Sequence, residues 1–216
     1  MFRSIRNRLP QIPYKIDHAD SLAIPTVRDL LYETLQRGKS EQQDLVIVCI
    51  GTDRSTGDSL GPLVGTFLKR SLHHSVIHQN QNVYVYGTLD QPVHAVNLQE
   101  TIAAIQKNHN RPFILAIDAC LGKLANVGTI QLAHGPLKPG AGVNKELPEI
   151  GDMHITGIVN VGGFMEYFVL QNTRLHLVMS MAECISNIIK ETMLLNYKQK
   201  LSTFYIQSEN PSLYMQ

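Results

Sequence analysis

Two aspartates, Asp58 and Asp118, are the residues of this sequence best placed for chemistry. Asp58 closes the polar run Gly51-Thr52-Asp53-Arg54-Ser55-Thr56-Gly57-Asp58, which follows the apolar residues 45–50, and Asp118 directly follows the apolar residues 112–117. Read as buried strands of an open α/β sheet, both runs end where such sheets place their sites. If the strands are parallel and central, the two carboxylates converge at the carboxyl ends. Carboxylates held close cannot both ionise readily, so one keeps its proton. Such a pair can act as base toward water and as acid toward a leaving group, or hold a divalent metal that activates water. The competing reading is structural: Asp58 caps its helix and Asp118 closes a turn.

A glycine-containing turn between strand and helix invites phosphate, but this one does not fit. A phosphate-binding loop needs Lys-Ser/Thr after its second glycine. Here Gly57 is followed by Asp58, whose charge repels phosphate, and the glycines stand one residue too far apart. The dinucleotide fingerprint fails as well, because Asp53 occupies its second glycine position. Thr52, Asp53, Arg54 and Ser55 share the loop; Arg54 can bind a substrate carboxylate, though an ion pair with Asp53 is the simpler reading. Cys120 can be a nucleophile beside His134 or His154, or merely a buried thiol. Asp152 and His154 either reach the site from a long loop or stay solvated on it. His73, His74 and His78 suit a solvated helix end, with no cysteine or carboxylate at metal-ligand spacing.

These residues need a scaffold, and the chain is long enough to supply one: 216 residues with 44% hydrophobic content fit one domain, residues 1–216. The formal net charge of +1 makes no case for nucleic acid or an anionic membrane. Three scattered cysteines make no disulfide framework and suit a reducing cytosol. No apolar run approaches the ~20 residues of a bilayer span, and Arg3, Arg6 and Arg8 precede no apolar stretch of a secretory signal. Residues 1–24 read as an irregular arm and 201–216 as an unassigned tail. Between them, helices are expected near 25–38, 59–71 (capped by Ser59), 93–107, 164–170 and 180–197. Strands are expected at 45–50, 82–87, 112–117, 127–130 and 175–179, the fourth forming an antiparallel hairpin after the third. Residues 133–160 read as a long loop. The sum is a three-layer α/β/α sandwich with a mixed, mostly parallel sheet of about five strands.

The run from Gly51 to Pro62 resembles the first signature of the spore germination protease superfamily, and in particular of the YyaC-type sporulation proteins. Further matches are Tyr86-Gly87-Thr88-Leu89-Asp90-Gln91-Pro92-Val93-His94-Ala95, Ile117-Asp118-Ala119-Cys120, Lys138-Pro139-Gly140-Ala141-Gly142-Val143-Asn144-Lys145 and Ile155-Thr156-Gly157-Ile158-Val159-Asn160-Val161-Gly162-Gly163-Phe164-Met165. The resemblance implies the sandwich that these proteases share with the hydrogenase maturation endopeptidases, with Asp58 and Asp118 as the catalytic pair. Thr52, Asp53, Arg54, Asn160, Gly162 and Gly163 are the expected substrate-binding positions. A divalent metal, if one binds, has Asp58, Asp118 and His154 as candidate ligands; no cofactor is otherwise implied. The implied activity is endopeptidase cleavage of a protein or peptide, with spore proteins as candidates, in the cytoplasm of a sporulating cell or spore, with a homo-oligomer allowed. A non-catalytic sporulation protein that binds a peptide or protein partner in the same cleft is the alternative.

Overall fold

The computed structural model describes residues 9–40, 42–73, 82–140 and 147–209, with residue 73 and residues 203–209 described by backbone alone. Strands β1 (Tyr14–Asp17), β2 (Leu45–Cys49), β3 (Val83–Tyr86), β4 (Phe113–Gly122), β5 (Thr129–His134) and β6 (Met153–Val161) form one sheet in the order β1-β5-β6-β4-β2-β3. Strands β2, β3, β4 and β6 run parallel, and β5 lies antiparallel to both β6 and β1. The helices are α1 (Ala23–Gly38), α2 (Leu60–His73), α3 (Leu98–Asn108), α4 (Glu166–Gln171) and α5 (Leu175–Glu209).

Helices α1, α2 and α5 cover one sheet face, where Ile47, Leu115, Ile117, Leu132 and Ile155 meet Leu31, Leu60, Val64, Val178 and Ile185. On the other face, Leu98 and Ile105 of α3, with Leu137 and Ile150, cover Val46, Val48 and Ala116. Strand β2 is thus buried on both faces, which is why its sequence LVIVC is apolar without alternation. Two parallel crossovers, β2–α2–β3 and β3–α3–β4, set β2 and β4 side by side with Cys49 opposite Ile117.

Several elements depart from the sequence reading. The arm at residues 1–24 carries the edge strand β1, and α1 begins within it at Ala23. Strand β4 does not stop at Asp118 but continues to Gly122. It does so because β6 pairs with it along that length, opposite Thr156 at Asp118. Ten of the 28 residues of the expected loop 133–160 are strand, at its two ends. The antiparallel hairpin forms between β5 and β6, not after β4. The third helix starts at Leu98, since Val93 bridges to Ile50 and leaves Val96 in solvent.

The apolar residues 175–179 are helix rather than strand and open α5, which runs through the expected tail to Glu209. A short apolar run fits either state. Here Val178, Met181, Ala182, Ile185, Ile188, Ile189 and Met193 fall on one buried helical stripe against α1 and α2. The sheet consequently has six strands without this segment. Ile185 has no solvent exposure within the stripe. Ile185→Ala should cost about 2–5 kcal/mol of unfolding free energy in a urea titration; a loss under ~1 kcal/mol would show that α5 does not seal this core.

Candidate functional site

Asp58 is placed by close backbone contacts at the end of β2. Ile50 N–H donates to Ile117 O at 2.7 Å and Gly51 N–H to Val93 O at 2.8 Å, so the chain leaves the sheet pinned to both neighbours. The next residues turn back, and Thr52 N–H donates to the main-chain oxygen of Asp58 at 3.1 Å. Glycine is required where that return passes: Gly51 has φ +138°, and a Cβ there would lie 1.9 Å from Asp58 O. A Cβ at Gly61 would similarly strike Ile50 O. One 3₁₀ turn, Gly57–Ser59, carries Asp58 and runs directly into α2. Ser59 is not the cap expected: its hydroxyl donates to Thr56 O at 2.6 Å, and the helical turn begins before it.

Asp118 arrives from β4. Strand alternation sends Leu115 and Ile117 into the α1/α2/α5 core, so Asp118 faces the opposite way, one residue beyond the partner of Cys49. Its side chain is buried at 7% exposure, with Oδ1 accepting the Ala119 N–H at 2.9 Å. Burial drives its pKa well above the usual carboxylate range, and the charge of Asp58 pushes it further. Burial also raises Asp58, but the Thr52 N–H and the neighbouring His94 pull it back. The fold therefore puts the two carboxyls within electrostatic reach of each other, and burial raises both, Asp118 the further.

His94 carries no role in the sequence reading, although it lies in the quoted motif after β3. The main chain holds it: its N–H donates to Asn97 Oδ1 at 2.8 Å and its carbonyl accepts the Leu98 N–H at 2.9 Å. Nδ1 accepts the Val96 N–H at 3.3 Å, leaving Nε2 to carry the proton of the neutral ring. His94 lines a cleft of about 440 Å³ with Tyr86, Thr88, Gln91 and Thr101. Tyr86 in that cleft is fixed by a relay, its OH 2.9 Å from His109 Nε2 and His109 Nδ1 2.7 Å from Asp44. A second cleft, about 710 Å³ and lined by Arg37, Lys39, Gln43 and Arg111, lies at the opposite end of the strands.

The remaining sequence candidates divide. Thr52 is half-buried in the turn, with Oγ1 accepting the Arg54 N–H at 3.3 Å. Asp53 and Arg54 are exposed, and among the described residues no ion pair joins them. Ser55 is buried beside them with no partner for its hydroxyl. Asn160 is a tie rather than a free donor: its Nδ2 reaches Val169 O and Thr173 Oγ1, both at 3.2 Å, and its Oδ1 accepts the Val161 N–H. Gly162 N–H donates to Gly122 O at 2.8 Å, so Gly162 and Gly163 shape the rim through backbone alone.

Asp152 does not reach the carboxyls; its Oδ2 accepts the Ile114 N–H at 2.7 Å, toward the far end of β4. His154 lies on β6, with Nδ1 3.0 Å from Gly135 O. Cys120 is raised by burial, only partly offset by Thr156, so its thiol stays protonated and is no thiolate nucleophile. His134 is exposed at the end of β5. The imidazoles of His73, His74 and His78 lie outside the described residues. Among the described residues no three His, Cys, Asp or Glu side chains converge to hold a metal ion. Asp58 and Asp118 supply two carboxylates, while the ring nitrogen Nδ1 of the proposed third ligand, His154, is engaged elsewhere.

The family model DUF1256, described as a protein of unknown function, matches residues 15–188. The chain is 52% identical over 185 residues to the protein named "Uncharacterized protein YyaC" of Bacillus subtilis (strain 168), covering 86% of each chain. Among solved structures it is similar to the [NiFe] hydrogenase maturation protease HycI from Thermococcus kodakarensis KOD1. That match has a TM-score of 0.48 and 19% identity, covering 76% of this chain and 98% of the other.

The raised pKa of Asp118 has a stability consequence with a definite sign. The unfolded carboxyl titrates near about 3.9. Its contribution is fully present below that pH and is lost as pH rises through the higher folded value. Asp118→Asn keeps the acceptor for Ala119 N–H but cannot ionise. The variant should therefore gain stability relative to wild type from pH ~4 upward, by about 1.4 kcal/mol per unit of elevation. Thermal melts across pH 4–9 measure this, and parallel curves for the two proteins would contradict it.

Proposed function

The chain belongs to the DUF1256 family, and from that premise we propose that it is an aspartate-dependent endopeptidase acting on a protein of the sporulating cell, in the cytoplasm. The observation that carries the reading is the pair of partly or fully buried carboxyls within electrostatic reach of each other, with Asp118 raised further than Asp58. The resemblance of the motifs around both aspartates to the spore germination proteases supports it.

In this mechanism Asp58 accepts a proton from a water molecule as its oxygen bonds to the scissile carbonyl carbon. Asp118 gives its proton to the carbonyl oxygen, forming a neutral tetrahedral intermediate. The proton on Asp58 then passes to the amide nitrogen as the C–N bond breaks, and the intermediate returns a proton to Asp118. Both carboxyls end as they began. The Thr52 N–H and His94 work against the burial of Asp58 and favour its carboxylate, which suits it to the first step. Thr52, Asp53 and Arg54 border one side of the bound chain and the backbone of Gly162 and Gly163 the other.

A spore-protein extract digested by the purified chain tests the activity. Asp58→Asn and Asp118→Asn should each lower cleavage by at least about 100-fold; cleavage that survives both substitutions would rule out the pair. His94→Gln removes the imidazole that lowers the pKa of Asp58, so the acid limb of the pH–rate profile should move to higher pH. An unmoved limb would take His94 out of the account.

A further inference from the structure

The sheet pairing lines up one side chain from each of four strands at the height of Asp118. Asp118 on β4 lies opposite Thr156 on β6, Thr156 opposite Gln131 on β5, and Gln131 opposite Lys15 on the edge strand β1. All four point to one face. Ile117, Ile155, Ile130 and Ile16 pack into the α1/α2/α5 core, and strand alternation sends their neighbours in the row the other way. On that second face α3 meets Val46, Val48 and Ala116, and the row leads away from them toward the β1 edge. Exposure rises along it: Asp118 is buried, Thr156 and Gln131 are half-buried, and Lys15 is exposed.

A polar face on the antiparallel side of a sheet is commonly just solvated. Two observations set this one apart. Cys120, two residues beyond Asp118 on the same face, senses both ends of the row. Burial raises its thiol, Thr156 hydrogen-bonds it, and the charges of Asp118 and Lys15 act on it in opposite directions. The row is therefore continuous with the carboxyl site. The second observation is that among the described residues no ion pair includes Lys15. Asp17, the nearest acid along β1, is engaged: its Oδ1 accepts the Ala19 N–H at 2.8 Å and lies 3.3 Å from His18 Nδ1.

The chemistry of the row selects its occupant. Three strand spacings, about 14 Å, separate Asp118 from Lys15. Between them stand a hydroxyl and a primary amide, each able to donate and to accept. Single hydrogen-bonding groups spread over that length suit the repeating N–H and C=O groups of an extended polypeptide. One unpaired ammonium at the far end suits a carboxylate side chain, whereas a nucleic acid calls for several cations. We propose that Asp118, Thr156, Gln131 and Lys15 form a track for a polypeptide lying across the strands, in which Lys15 is the specificity residue that receives an acidic side chain about 14 Å from Asp118. What becomes of that polypeptide rests on the endopeptidase reading of the carboxyl pair; its binding does not.

The test is fluorescence anisotropy with labelled Gly/Ser dodecapeptides that carry either two adjacent glutamates or two adjacent lysines. The chain should bind the glutamate peptide more tightly by about fivefold at low ionic strength, and Lys15→Glu should reverse the preference. Lys200→Glu makes the same charge change at an exposed position on α5 and should leave the preference in place. Melting temperatures and sedimentation of both variants are measured alongside. Nitrogen-15 NMR locates the ligand: the glutamate peptide should shift the Gln131 side-chain amide and the Thr156 main-chain amide. Equal binding of the two peptides overturns the proposal, as does a preference that survives Lys15→Glu or is lost as fully in Lys200→Glu. Shifts confined to other surfaces overturn it too. If the glutamate peptide binds along the row and no protein of the spore extract is cut, the track stands and the endopeptidase reading fails. If proteins are cut but the peptides bind equally, the track fails and that reading stands.

Discussion

Two like charges cannot both persist in one buried place, and the structure is arranged around that conflict. Asp118 sits on a strand interior to the sheet, with little water around it, and the charge of Asp58, in the turn beyond the neighbouring strand, reaches it. A single proton resolves the repulsion. Which carboxyl holds it is decided by surroundings: the more deeply buried one, with a single N–H for company, against one at a helix start facing an imidazole. A protein selected for stability alone would place an apolar residue at 118, as it does at Ile117 and Ala116. Keeping an acid there gives up stability above acidic pH.

Everything that fixes the pair follows from strand register and close backbone approach. The Cys49–Ile117 alignment sets the height at which the two strands deliver their aspartates. The contacts at Gly51 and Gly61 leave no room for any side chain but hydrogen, so the turn can fold back tightly enough to return Asp58 to the sheet. Pairing with β6 extends β4 past Asp118, which keeps that carboxyl on a rigid element instead of a flexible turn. Helix α5, spanning α1 and α2, closes the layer behind the sheet.

The parts of this arrangement that the sequence made legible are those with local signatures. The unbroken apolar runs of β2 and the start of β4, the glycines around Asp58 and its place in the turn beyond β2 all follow from composition and spacing. What escaped depends on partners distant in sequence. Whether β4 stops at Asp118 is decided by β6, some forty residues on, whose alternating MHITGIVNV lay hidden in a stretch read as loop. Residues 175–179 have the composition of a strand, and only the stripe that continues through Ile185 and Ile189 makes them helix. Asn160 read as a free polar side chain, yet it is spent on holding α4. His94 escaped because its effect on Asp58 arises only when the segment after β3 folds back beside the turn.

The central claim is that burial raises Asp118 well above the ordinary carboxylate range and the charge of Asp58 beside it raises it further. A titration of the individual aspartate side-chain carboxyls by carbon-13 NMR, in wild type and in Asp58→Asn, measures this directly. Asp118 should titrate well above the ordinary carboxylate range in the wild type and fall toward it once Asp58 is neutral. An Asp118 that titrates as an ordinary carboxylate, or one that ignores the neutralisation of Asp58, would contradict the account.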